Sequence, residues 1–229
     1  MQTSKSLMQT SKKALRQGVS QTLRDVPQSQ VQLQSEAVIR HLFASENFKR
    51  SKTVSCYLSM KGEIDTSEIV REILRAGKSL FVPKIANRKE NRMDFLQVYS
   101  LEDLDSLPSG VWGIKEPDAE FEGRRRANVF DSNIEPLDMI LVPGVAFDTK
   151  MSRLGHGKGY YDYFINNYTR TRPKPVLLAL SLREQIVPIG EIPMAEHDRR
   201  MDAIVTPDGL IRNKTEVHRQ VPEVGRIAA

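Results

Sequence analysis

The sequence predicts an α/β fold, a three-layer sandwich in which a mostly parallel mixed sheet carries helices on both faces. Two observations predict it. Short apolar runs of strand length alternate along the chain with stretches whose apolar residues recur at helical spacing, the order that builds parallel sheets with helical crossovers. Met139-Ile140-Leu141-Val142 is also continuously apolar, as a buried strand is, and Pro143-Gly144 stops it.

Taken in order, Ala14, Leu15, Val19 and Leu23 fall near helical spacing and predict a first helix. Val31, Val38, Ile39, Leu42 and Phe43 predict a second over residues 29–45. Thr53 to Leu58 reads as a strand. Asp65-Thr66-Ser67-Glu68 resembles a capping box that starts a third helix, with Ile69, Ile73 and Leu74 apolar and an end near Gly77. Leu80-Phe81-Val82 is a short strand before Pro83, and Met93 to Tyr99 is another. A helix is predicted after Tyr160-Tyr161-Asp162, and strands at Val176 to Leu180 and Ala203 to Val205 extend the sheet.

The 229 residues suit one domain over 1–229, with 1–11 and 213–229 peripheral. A hydrophobic fraction of 39% and a charged fraction of 28% describe an ordinary globule, and no apolar run approaches the roughly 20 residues of a spanning helix. The net charge of +5 belongs to one end. Residues 1–24 hold Lys5, Lys12, Lys13, Arg16 and Arg24 without an acid; setting these five aside leaves 29 basic residues against 29 acids. No broad basic face with stacking aromatics accompanies it, so a nucleic-acid partner is not expected. Arg124-Arg125-Arg126 reads as a solvated loop. The lone Cys56, in an apolar run, reads as a buried inert thiol, and the four histidines show no zinc spacing. A cytoplasmic location is expected; the basic, acid-free N-terminus keeps a mitochondrial presequence as the alternative.

Chemistry concentrates in residues 141–165. After Pro143-Gly144, Arg153, His156 and Lys158 interleave with Gly155, Gly157 and Gly159. Glycines at alternate positions let the backbone approach a ligand and turn several N–H groups into one concavity. Two full positive charges and the start of a helix then favour a phosphate chain. Asp162 stands at the edge of that nest, where Mg²⁺ needs a hard oxygen ligand. Gly159 after Lys158 breaks the Walker pattern, and Tyr160 occupies the third-glycine place of a dinucleotide fingerprint.

RLGHGKGYYD, preceded by PGVAFD, resembles the signature of the 5-formyltetrahydrofolate cyclo-ligase family. The likeness extends from Lys12 to about Thr206. It implies that Lys12 and Arg16, in Ser11-Lys12-Lys13-Ala14-Leu15-Arg16, contact ATP from one helix face, as their spacing of four allows. The ATP loop would be Arg153, Leu154, Gly155, His156, Gly157, Lys158, Gly159, Tyr160 and Tyr161, with Lys158, Arg153 and Tyr160 acting in catalysis. Arg16, Leu58, Met60, Glu63, Trp112, His156 and Tyr160 would meet the folate, and Asp162 and Asp198 would hold Mg²⁺. The resemblance implies ATP- and Mg²⁺-dependent cyclisation of 5-formyltetrahydrofolate or its polyglutamates by a monomer, giving 5,10-methenyltetrahydrofolate, ADP and phosphate through a phosphorylated formyl group. A small-molecule kinase with a nonstandard ATP loop, or a catalytically silent nucleic-acid-binding relative, is the alternative. One departure stands out: the family usually has a glycine near Met151, and Thr149-Lys150-Met151-Ser152 has none.

Overall fold

The computed structural model describes residues 2–87, 89–110 and 113–212, with side chains from Ser6 onward. In chain order its elements are α1 (Gln2–Asp25), α2 (Gln28–Ala44), α3 (Glu46–Arg50), β1 (Thr53–Ser55), α4 (Ser67–Arg75), β2 (Ser79–Asn87), β3 (Arg92–Val98) and α5 (Leu101–Ser106). There follow β4 (Glu120–Phe121), β5 (Arg124–Arg125), β6 (Met139–Val142), β7 (Ala146–Phe147), β8 (Arg153–Leu154), α6 (Tyr160–Tyr168), β9 (Val176–Leu180), β10 (Ala203–Thr206) and β11 (Gly209–Arg212).

Seven strands form one sheet in the order β11-β10-β9-β6-β1-β2-β3. The five inner strands run parallel, and β3 and β11 close the two edges antiparallel. This is the mixed, mostly parallel sheet the alternation predicts.

Both faces are buried, and the strands show how. Met139 and Leu141 turn to the layer holding Val38, Leu42, Ile69 and Ile73 of α2 and α4, while Ile140 and Val142 turn to the layer holding Phe164, Ile165 and Tyr168 of α6. Leu178 and Leu180 divide from Leu177 and Ala179 in the same way. A strand whose odd and even residues are both covered has no polar side to show, which is why these runs are continuously apolar.

α1 touches the first of these layers only through Leu23 and otherwise packs on a separate cluster. Its Val19, flanked by Leu15 and Leu23, packs on Val145, Ala146, Leu154 and Ile192, so the helix sits over the loops that leave the sheet. That placement carries its polar face to the glycine-rich segment.

Three local expectations are corrected. Pro83 does not end its strand: β2 continues to Asn87 with Pro83 opposite Phe95. β1 stops at Ser55, opposite Phe81, so beyond that point β2 has a strand neighbour only in β3 and the missing N–H of Pro83 costs no ladder bond on the open side. The capping box at the start of α4 does not form. The Thr66 hydroxyl donates to the Tyr57 carbonyl at 2.8 Å and accepts from the Ser59 N–H, tying down residues 57–66, and Asp65 caps the Ser67 N–H at 2.9 Å instead. Within the arginine run, Arg124 and Arg125 are exposed but Arg126 is buried, paired with Asp103 at 2.5 Å and facing the ring of Phe121.

Met151 has φ 67°, a left-handed backbone that costs an L-residue roughly 1–2 kcal/mol and explains why glycine suits the position. Its side chain is 1% exposed within the α6-side core, and that burial offsets the cost. Removing a buried Met side chain costs about 2–5 kcal/mol, more than relief of the backbone returns. Met151→Gly is therefore expected to lower unfolding free energy by roughly 1–3 kcal/mol, read as a lower denaturant midpoint at unchanged slope; an equal or higher midpoint would show the backbone cost to be the larger.

Candidate active site

Parallel α/β sheets bind ligands at the carboxyl ends of their strands. Here that end gathers the segments after β1 and β6 with the loop from β8 to α6.

The loop is built on a small hairpin. β7 and β8 pair antiparallel, Ala146 opposite Leu154 and Phe147 opposite Arg153. Its turn is closed by Asp148, 1% exposed, whose carboxylate accepts the N–H groups of Lys150 and Ser152 at 2.9 Å each. Asp148 was legible in PGVAFD but carried no assigned role; a buried Asp before a tight turn is the signal for it.

Arg153 then crosses the site. Its guanidinium donates to the Pro143 carbonyl at 3.1 Å and to Asp162 at 2.6 Å, and its side chain is 4% exposed. It thus joins the end of β6, the hairpin and the first turn of α6. From Gly155 the chain emerges, and His156, Gly157, Lys158 and Gly159 are exposed. Gly157 has φ 101°, and a Cβ there would lie 3.3 Å from the Arg16 Cζ, so only glycine lets the loop pass the arginine so closely. Gly159, at φ 73°, caps α6 without a side-chain hydrogen bond, which leaves first-turn N–H groups for an anion.

α1 supplies the opposite wall. Arg16 Nε donates to the Gly155 carbonyl at 2.7 Å, and Lys12 pairs with Asp198. Partial burial lowers the Arg16 pKa, with Asp198 acting against it. Burial alone would raise the Asp198 carboxyl, but the Ala195 N–H, the Lys12 ammonium and His197 hold it below its ordinary value. Arg16 thus reaches the glycine-rich loop, while Lys12, one turn earlier on α1, reaches Asp198 in the segment before β10.

The third wall follows β1. Glu63 accepts the Met60 N–H at 2.9 Å through one carboxylate oxygen, and its other oxygen meets His156 Nε2 at 3.1 Å. Leu58 and Met60 are half-buried beside it. Cys56 is fully buried and burial pushes its thiol pKa up, so it is inert as expected. Trp112 lies outside the described residues.

Of the predicted site residues, Lys158 stands exposed on the loop, and Tyr160 is half-buried at the start of α6. Tyr161 differs from its assignment to the phosphate loop: its side chain packs into both core layers, with Phe95 edge-on at 6.0 Å. Of the two candidate metal ligands, Asp162 lies in the first turn of α6 and Asp198 in the segment before β10. Asp162 is engaged on both oxygens, by Arg153 and by the Arg199 N–H at 2.9 Å. Asp198 has one oxygen taken by Lys12 and the Ala195 N–H, while its other has only His197 Nε2, at 3.6 Å. Among the described residues no three His, Cys, Asp or Glu side chains gather as a metal cage. Asn166 and Arg199, which sequence reasoning missed, bind the Asp198 segment to α6: Asn166 donates to the His197 carbonyl at 2.9 Å. Contacts made across such separations have no local signature.

The described helices include none long and apolar enough to cross a membrane. The model of the 5-formyltetrahydrofolate cyclo-ligase family matches residues 8–207. A Caenorhabditis elegans probable 5-formyltetrahydrofolate cyclo-ligase is 37% identical over 196 residues, covering 85% of this chain and 91% of the relative. An Arabidopsis thaliana relative, named as the mitochondrial 5-formyltetrahydrofolate cyclo-ligase, is 35% identical over 212 residues, covering 87% and 75%. The NMR structure of Aquifex aeolicus 5,10-methenyltetrahydrofolate synthetase superposes with a TM-score of 0.72 at 30% identity, covering 95% of this chain and 99% of that one. The chain belongs to the 5-formyltetrahydrofolate cyclo-ligase family of enzymes.

Proposed function

We propose that the protein closes the imidazoline ring of 5-formyltetrahydrofolate at the expense of ATP, yielding 5,10-methenyltetrahydrofolate, ADP and phosphate. The observation that carries this reading is the convergence of Lys12, Arg16 and the glycine-rich loop around the first turn of α6, beside a carboxylate on a separate loop after β1. The first group suits a triphosphate; Glu63 suits a ring edge with adjacent N–H donors.

A formyl amide resists attack because nitrogen donates into its carbonyl and the oxygen would leave as hydroxide. Transfer of the γ-phosphoryl group to that oxygen makes it a leaving group. N10 then attacks the formyl carbon, loses its proton, and phosphate departs as the ring closes. Such chemistry needs positioning and charge stabilisation rather than a side-chain nucleophile. Lys158, exposed on the loop, is free to follow the transferring phosphoryl group. Arg16 and Lys12 neutralise the chain from the α1 side. Arg153, buried and paired with Asp162, shapes the loop, and its contribution to ATP runs through that shape. Tyr160, at the start of α6, lines the junction of the two substrates.

Mg²⁺ fits this donor set as an ion carried in with ATP, since Mg²⁺ commonly takes one or two carboxylates and completes its shell with phosphate and water. Asp198 presents the less engaged oxygen; Asp162 joins only by exchanging Arg153 or Arg199 for the metal. When bound, the ion neutralises phosphate charge. Folate polyglutamates extend the substrate class, and the enzyme works as a monomeric single domain. A cytoplasmic site is the default; the acid-free start of α1 and the Arabidopsis relative's name favour the mitochondrion as the alternative. Because Lys12 and Arg16 lie on α1, any removed leader ends before Lys12.

Formyl-¹⁸O substrate is expected to deliver its label to inorganic phosphate as the methenyl product forms. Label retained in a phosphorylated organic product would instead identify a small-molecule kinase. Lys158→Ala should lower turnover by about 10²- to 10³-fold with an unchanged thermal midpoint, because an exposed side chain is lost without touching the core. Normal turnover in that variant removes Lys158 from the reaction.

A further inference from the structure

Asn166, half-buried on α6, bonds only to residues that frame Asp162 and Asp198. Its amide nitrogen donates to the Asp162 carbonyl, one turn back, at 2.7 Å and to the His197 carbonyl at 2.9 Å. Its amide oxygen accepts from the Arg199 guanidinium. Two carbonyls and a guanidinium together match a primary amide, which offers two donors and an acceptor; a carboxylate or a hydroxyl lacks the second donor. Asparagine is otherwise a poor choice inside a helix, where alanine is favoured.

The segment that carries Asp198 is fastened on either side of residues 197–199. Before them a turn closes, in which the Ala195 carbonyl accepts the Asp198 N–H at 3.0 Å and the Asp198 carboxylate accepts the Ala195 N–H at 2.8 Å. After them Arg200 donates to the Lys150 carbonyl at 2.8 Å and the Ser152 hydroxyl at 2.7 Å, and the Met201 N–H donates to the Met151 carbonyl at 2.9 Å. Those bonds hold the segment to the β7–β8 hairpin. Residues 197–199 themselves bond to α6, among the described residues, through the Arg199 N–H to Asp162 and through Asn166. An ion that takes an Asp162 oxygen displaces Arg153 or the Arg199 N–H. The bonds of Asn166 engage no carboxylate oxygen and outlast that exchange.

We propose that Asn166 is a positioning residue for the magnesium–nucleotide site, keeping Asp198 in place beside α6 while Asp162 changes partners. This rests on the reading of function given above and goes beyond it, because Asn166 acts only through the two carboxylates and ligates nothing itself. Side chains that orient a metal's ligands commonly change its affinity by about 10- to 100-fold when they are lost. Without Asn166, residues 197–199 would depend on the same Asp162 oxygens that the ion competes for, so the two carboxylates would no longer face one point together.

The test is Asn166→Ala, with ATP binding measured by calorimetry in the absence of folate, once with Mg²⁺ and once with EDTA. The gain in ATP affinity that Mg²⁺ brings is expected to shrink by about 10-fold, with metal-free ATP bound as in the parent. In turnover the half-saturating Mg²⁺ concentration should rise while the folate KM holds. Asn166→Leu, which keeps the volume but not the amide, should behave as the alanine variant does and serves in its place if that variant does not fold. A Mg²⁺ gain within twofold of the parent's overturns the proposal, as does an equal loss of ATP affinity with and without Mg²⁺, which would report a displaced helix start. A parent whose ATP affinity ignores Mg²⁺ overturns the metal reading beneath this one; a responsive parent with indifferent variants overturns this inference alone.

Discussion

The buried pair of Arg153 and Asp162 is the contact on which the site depends. Arg153 binds the Pro143 carbonyl at the end of β6 and the Asp162 carboxylate in α6, so one side chain fixes the strand, the hairpin and the helix that frame the loop. Ionic groups leave water only at a cost of several kcal/mol each, and such a pair is a weak source of net stability unless its geometry is good. Its value here is geometric. With the helix start and hairpin locked, the exposed run from His156 to Gly159 is held between two fixed points.

The sheet provides the rigidity that makes this possible. Its five parallel strands are covered on both faces, so their ends are positioned by close packing that yields little. α1 adds charge to that frame from its separate cluster. It rests on Val145, Ala146, Leu154 and Ile192 and brings Arg16 to the Gly155 carbonyl, which makes the candidate site a joint between the first helix and a loop 139 residues later.

Much of this was legible in the sequence. Met139–Val142, Val176–Leu180 and Ala203–Val205 were readable as strands because burial on both faces leaves an unbroken apolar run, and the alternation of these runs with helical spacing sets the three layers. The glycine-rich basic loop was readable because φ above zero and close approach leave little alternative to glycine. What escaped depends on partners distant in sequence. Pro83 reads as a strand end unless one knows that β1 has already stopped beside it. Arg126 reads as solvent-facing until Asp103 is placed 2.5 Å away. Asp162 and Asp198 read as free carboxylates, yet Arg153 and Lys12 already neutralise them. Tyr161 reads as part of the loop, and only the fold turns its side chain inward.

The central claim, that these walls assemble an ATP-driven ring closure on folate, is tested most directly by mixing the purified protein with Mg-ATP and 5-formyltetrahydrofolate and following the near-ultraviolet absorbance of the methenyl product. The account predicts a rise that requires protein, Mg-ATP and folate together and fails when any one is omitted. No rise from protein that still binds ATP would contradict it.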